Sequence, residues 1–134
     1  MVSRMQTARL GMRNRGFTLI EVMAVITITA LLLALVAPRY FGQVDASKDA
    51  ALRENLRLTR TVIGQFYGDI GRYPNSLTEL VEKRYLRSLP MDPITASTDT
   101  WRIEPVPEGF EGQVYDLHSG APGNARNGTP YAAW

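Results

Sequence analysis

Residues 17–37 read FTLIEVMAVITITALLLALVA, and Glu21 is the only charged side chain among these 21 residues. At about 1.5 Å of rise per residue they make a helix of roughly 31 Å, close to the hydrocarbon thickness of a bilayer. A helix that is apolar all round needs either a large protein or lipid about it. The chain has 134 residues, enough for one small domain and too few to enclose such a helix. The stretch therefore reads as a membrane span and not as a core helix.

Its flank sets the orientation. Arg4, Arg9, Arg13 and Arg15 precede it, and the first sixteen residues carry no acid. Positive flanks stay on the cytoplasmic side, so the C-terminal part belongs on the other side. Removing these four from the 15 Lys+Arg leaves 11, against 13 Asp+Glu. The pI of about 9.1 thus comes from the N-terminal segment. A nucleic-acid-binding domain would carry its basic surface on the folded part, so no nucleic-acid partner is expected. The chain has no cysteine, which excludes disulfides and thiolate metal sites without fixing a compartment.

A cleaved secretory signal is the competing reading, with Ala34-Leu35-Val36-Ala37 as its small-residue site. The apolar run is longer than the usual 7–15 residues of a signal core, and Pro38 directly follows the site. Glu21 would also be out of place in a disposable segment. A carboxylate at mid-membrane costs on the order of 2.5–3.5 kcal/mol, less near an interface, and marks function. No basic residue lies between Glu21 and Arg39, so its partner must come from outside its own helix. A cut between Gly16 and Phe17 would create an α-amino group four residues before Glu21. The same amine on a neighbouring copy is the natural partner, and the pairing would fix the axial register of one subunit on the next.

Arg15-Gly16-Phe17-Thr18-Leu19-Ile20-Glu21-Val22 resembles the cleavage and methylation motif of type IV prepilins and pseudopilins. In that family a basic leader ends in Gly, and Phe, a short apolar stretch and Glu at the fifth mature position follow. The resemblance implies that a prepilin peptidase of the inner membrane cuts after Gly16 and methylates the amine of Phe17. It further implies a homo-oligomeric filament with other pseudopilins, built by an inner-membrane assembly platform, with Glu21 acting in assembly. Pro38 falls where the family commonly bends its helix.

Beyond Pro38, Leu52, Leu56, Thr59, Ile63, Phe66 and Ile70 recur at helical spacing, an amphipathic stripe expected to carry the rest of the chain. Gly71 is its expected stop. The other face holds Asp45, Lys48, Asp49, Arg53, Glu54, Arg57 and Arg60, with Asp49–Arg53 an expected i,i+4 pair. That face reads equally as a solvated surface or as a set of inter-subunit salt bridges. Ser76-Leu77-Thr78-Glu79 fits a capping box, predicting a short helix from Leu77 to about Tyr85 with Leu77, Leu80 and Val81 buried. Trp101–Ile103 and Val114–His118 read as two antiparallel strands with a turn at Gly109–Gly112. The remainder is a loop, ordered by packing of Tyr131 and Trp134. The fold class expected is α+β, divided as leader 1–16, filament-core helix 17–38, amphipathic stalk 39–71 and a small globular part 72–134.

Gly71-Arg72-Tyr73-Pro74, Tyr85-Leu86-Arg87-Ser88-Leu89-Pro90, Asp92-Pro93 and Tyr115-Asp116-Leu117 are similar to the major pseudopilin of type II secretion systems. This implies a periplasmic filament that drives export of folded proteins. The alternative is a subunit of a surface type IV pilus, used in adhesion, motility or DNA uptake. A more distant one is an exported periplasmic binding domain released near Ala37. The resemblance also implies a structural calcium held by aspartates of the C-terminal loop. Residues 119–129 contain no carboxylate, and calcium takes six to eight oxygens, usually some of them charged. Asp116, Ser119, Asn124, Asn127 and backbone carbonyls are the available donors for such a calcium, with Arg126 opposing them, and no other cofactor is expected. His118 is the only histidine and has no cysteine or second histidine to work with. No phosphate-binding glycine loop or placed carboxylate pair occurs either. The Asn127-Gly128-Thr129 sequon is a weak pattern, and the chain reads as a substrate of enzymes and not as one.

Overall fold

The computed structural model describes residues 16–134. The four arginines of the expected leader lie outside the described residues. The chain divides into two units at Arg39–Tyr40. Helix α1, Leu19–Ile70, contributes to both and includes Pro38, so the two helical stretches read from the sequence form one element. In the first unit the apolar side chains of α1 are all exposed, among them Leu19, Leu31, Leu33 and Leu35. By length and composition this part is suited to crossing a membrane.

The second unit is built on the lower stripe of α1. Leu52, Leu56, Thr59, Ile63 and Phe66 are buried there, as the helical spacing requires. Ile70, the last member of the expected stripe, is exposed. At that point Gly71 turns the chain away with φ of 83°, its N–H returning to the Tyr67 carbonyl. A left-handed residue is a low-cost helix stop for glycine alone.

Helix α2, Leu77–Glu82, starts at Ser76, whose hydroxyl accepts the Glu79 N–H. Leu80 is fully buried, while Leu77 and Val81 are only half-buried. The helix is shorter than the expected Leu77–Tyr85. Arg84 adopts φ of 64°, and the N–H groups of Tyr85 and Leu86 both fold back to the Leu80 carbonyl. This ending puts the Tyr85 ring edge-on against Phe66, with centroids 5.2 Å apart.

Strands β1, Arg102–Glu104, and β2, Asp116–His118, pair antiparallel with Ile103 opposite Leu117. Leu117 is fully buried and closes the core over α1. Strand β1 is shifted by one residue from the expected Trp101–Ile103, and β2 is two residues shorter than the expected Val114–His118. Trp101 stands just before β1, buried, with its indole N–H donated to the Pro90 carbonyl at 2.8 Å. In the connection between the strands, Gly112 lies against Tyr73, where a Cβ would come 2.4 Å from the carbonyl oxygen. That approach lets Tyr73 N–H bond Glu111 and Val114 N–H bond Pro74. A last 3-10 turn, Tyr131–Ala133, brings Tyr131 into the core.

Candidate functional site

At the head of α1 the sequence places Gly16, Phe17 and Glu21 together. Phe17 is 82% exposed, and a Cβ on Gly16 would meet nothing within 4 Å. Among the described residues, nothing requires glycine at this position. Thr18 precedes the first helical residue, and its hydroxyl accepts the Glu21 N–H at 3.3 Å. The Glu21 carboxylate in turn accepts the Thr18 N–H at 3.4 Å. This reciprocal arrangement is a capping box, T-x-x-E, which satisfies two N–H groups that a helix start leaves open. Thr18 is the residue that the sequence reading missed, although its signal is local and visible. Glu21 thus has a weak partner within its own turn, whereas the sequence reading expected one only from another molecule.

The polar side chains further along the span are closed on themselves. Thr27 and Thr29 donate their hydroxyls to the carbonyls of Met23 and Val25, four residues back, at 2.8 and 2.7 Å. Back-bonding of this kind removes the cost of taking a hydroxyl out of water. From Val22 to Ala37 the exposed surface of α1 is accordingly apolar, with side chains such as Leu31, Leu33 and Leu35 each about 60% or more exposed. A contiguous apolar surface of this extent demands a cover of lipid or protein.

On the face of α1 opposite the stripe, the structure separates residues that the sequence grouped together. The expected Asp49–Arg53 pair does not form; the ion pair on this face is Arg57–Glu54, at 2.7 Å and exposed. Arg53 instead lies over the Trp134 ring, 4.3 Å from its centroid. Arg60 pairs with Asp116 at 2.7 Å and donates to the Leu117 carbonyl, tying α1 to β2. Asp49 is buried and accepts the Tyr131 hydroxyl at 2.7 Å and the Arg126 N–H at 3.1 Å. The hydrogen bond to Asp49, followed by burial, pushes the Tyr131 phenol up to about 12.

The donor set for a structural calcium does not fit. Asp116 Oδ1 accepts from Arg60 and from the Leu117 N–H. Ser119 donates its hydroxyl to Asp92 at 2.5 Å, and Asn127 Oδ1 accepts from both the N–H and the hydroxyl of Thr129. Three of the four side chains are therefore committed elsewhere, and the Arg126 guanidinium, bonded to the Gly42 carbonyl, adds positive charge. His118 links strand and tail: Nδ1 lies 2.6 Å from the Trp134 carbonyl and Nε2 3.2 Å from Glu104. Glu104, Asp116 and His118 form the one triad of metal-ligand side chains among the described residues, and Arg60 sits on its Asp116.

Residues 11–37 match the model of the prokaryotic N-terminal methylation motif. The type IV major pilin protein PilA of Myxococcus xanthus is 34% identical over 76 residues, 57% of this chain and 34% of the pilin. The type II secretion system core protein G of Klebsiella pneumoniae is 32% identical over 97 residues, 60% of this chain and 69% of that protein. The core protein G of Klebsiella michiganensis is 29% identical over 126 residues, 82% of this chain and 85% of that protein. The match thus spans about a third of the Myxococcus pilin and two thirds or more of these two relatives. No solved structure matches the chain. With the methylation motif at the head of its long helix and a core protein G 32% identical of which it covers 69%, the chain belongs to the type IV pilin and pseudopilin family.

Proposed function

We propose that the chain is a pseudopilin subunit of a type II secretion system, a structural protein that assembles into a periplasmic filament. The carrying observation is the apolar half of α1, exposed on every side and headed by Glu21. In the precursor, lipid of the inner membrane covers it, with the C-terminal unit on the periplasmic side. In the filament, the same surface packs against other copies. The leader 1–16 is removed by prepilin peptidase and the Phe17 amine is methylated. The space around Gly16 among the described residues supports this, because a glycine without a packing role there suits a protease cleft. After cleavage the Phe17 amine of one subunit meets Glu21 of the next, each charge offsetting the cost of holding the other out of water. The remaining chain divides into filament core 17–38, stalk 39–71 and globular part 72–134.

Names of relatives such as the Klebsiella proteins favour the secretion machine. The similarity to the Myxococcus pilin favours a surface pilus instead. The filament physics is shared by the two readings. Mass spectrometry of the membrane-bound protein tests the common part. A mature chain starting at Phe17 with one added methyl group is expected. An uncut chain, or a start beyond Ala37, would refute it. Deletion of the gene then separates the machines: loss of secretion with surface fibres intact supports the first reading, and the reverse supports the second.

A further inference from the structure

The C-terminal segment, residues 119–134, contains no acid and returns to the body of the second unit at two buried carboxylates. At its start, Ser119 donates to Asp92, which is fully buried and also accepts the Ile94 N–H at 2.8 Å. The same Ser119 oxygen accepts the Ala121 N–H. Further on, Arg126 N–H and the Tyr131 hydroxyl reach the two oxygens of Asp49. Between these anchors the loop satisfies itself, with Ala125 N–H to Thr129, Gly128 N–H to Ala125 and Tyr131 N–H to Gly123. Among the described residues no buried side-chain nitrogen or oxygen lacks a partner.

A divalent cation closes a loop by drawing oxygens of that loop inward. Here the polarity is reversed. The loop supplies donors (an amide N–H and two hydroxyls), and the body supplies the carboxylates. Hydrogen bonds to a charged acceptor are the strong ones, and leaving a buried carboxylate without them is costly. We infer that Asp49, with Asp92 as a second anchor, closes the C-terminal loop in place of calcium, and that the subunit folds and holds its tail without a metal. The inference concerns the fold of the second unit and stands whichever machine the filament serves.

Arg126 makes the test direct, because it is the only Lys or Arg in residues 119–134. Trypsin cuts after it only when the loop opens, and the rate follows the population of the open form when reclosing is fast. The full chain in detergent micelles is digested with trypsin in excess EGTA or in millimolar CaCl2. Release of the Asn127–Trp134 peptide is read by mass, relative to cleavage after the exposed Arg87, which corrects for protease activity. The expected result is the same relative rate in both buffers. Tyr131→Phe keeps the ring and removes one donor, and it should speed release about tenfold. Asp49→Asn should speed it at least as much, and where it prevents folding the Tyr131 variant alone decides. CaCl2 slowing wild-type release tenfold relative to EGTA would overturn the inference, as would Tyr131→Phe opening at the wild-type rate.

Discussion

Replacing Glu79 with Gln tests how the turn between α1 and α2 is held. Glu79 Oε1 accepts Arg72 Nη2 at 2.5 Å, while Oε2 accepts Arg72 Nη1 at 3.1 Å and the Asn75 N–H at 2.7 Å. The two side chains are 26% and 13% exposed, between the surface regime of about 0.2–1 kcal/mol and the buried regime. Hydrogen bonds to a charged group are worth about 1.5–3 kcal/mol. Glu79→Gln keeps an acceptor oxygen and loses the charge, so a cost of about 2 kcal/mol follows. For a unit of this size that is a fall in Tm of about 8–16 °C. The pH dependence supplies an internal control. The Arg72 guanidinium first, and the Asn75 N–H next, hold the Glu79 carboxyl down to about 2, from an ordinary 4.5. A lowered carboxyl contributes stability that is full above the ordinary value and is lost as the pH falls through the folded one. Thermal melts of wild type and variant in detergent, followed by tryptophan fluorescence, should show the full gap near neutral pH. The gap should narrow below about pH 4.5 and close near pH 2. A gap as wide at about pH 2 as at neutrality would refute the electrostatic account, since the variant would then be failing for lack of shape.

Three further outcomes follow from the same geometry. Phe66→Ala removes a fully buried ring that packs on Tyr85 and should cost about 3–5 kcal/mol, read as a lower denaturation midpoint; less than about 1 kcal/mol would mean that the stripe does not carry the unit. Gly120→Ala would put a Cβ 1.9 Å from the Thr100 carbonyl oxygen, forcing the backbone apart at a cost of about 1–3 kcal/mol or more; an unchanged melting curve would contradict that close approach. Glu21→Ala should leave the fold of the second unit intact and abolish filament formation seen by electron microscopy; filaments of normal yield would remove Glu21 from assembly.

Much of this architecture was legible because the signals are local. The apolar run 17–37 with its single charge, the stripe from Leu52 to Phe66 and the Ser76–Glu79 cap each depend on spacing within one helix. The short strands were found, with ends misplaced by a residue or two, because Trp101 serves as a plug against Pro90 and not as a strand residue. What could not be read is the destination of the charged face of α1. Asp49 is four residues before Arg53, yet its partners lie 77 and 82 positions further on, and Arg60 reaches Asp116 across 56. A helix-local rule assigns such side chains to one another or to water, and tertiary packing overrides it. Thr18 is the opposite case: its T-x-x-E signal is local and complete in the sequence, and the helix start uses it.

The self-bonded hydroxyls of Thr27 and Thr29 have a mechanical consequence. Between Val22 and Ala37 α1 offers no directional attachment to anything beside it, only dispersion contacts that are individually weak and interchangeable. Contacts of that kind hold a neighbouring helix by the shape of its side chains alone, since no hydrogen bond ties one turn to another. Any polar mark that fixes the position of such a helix along its neighbour has to lie outside this stretch.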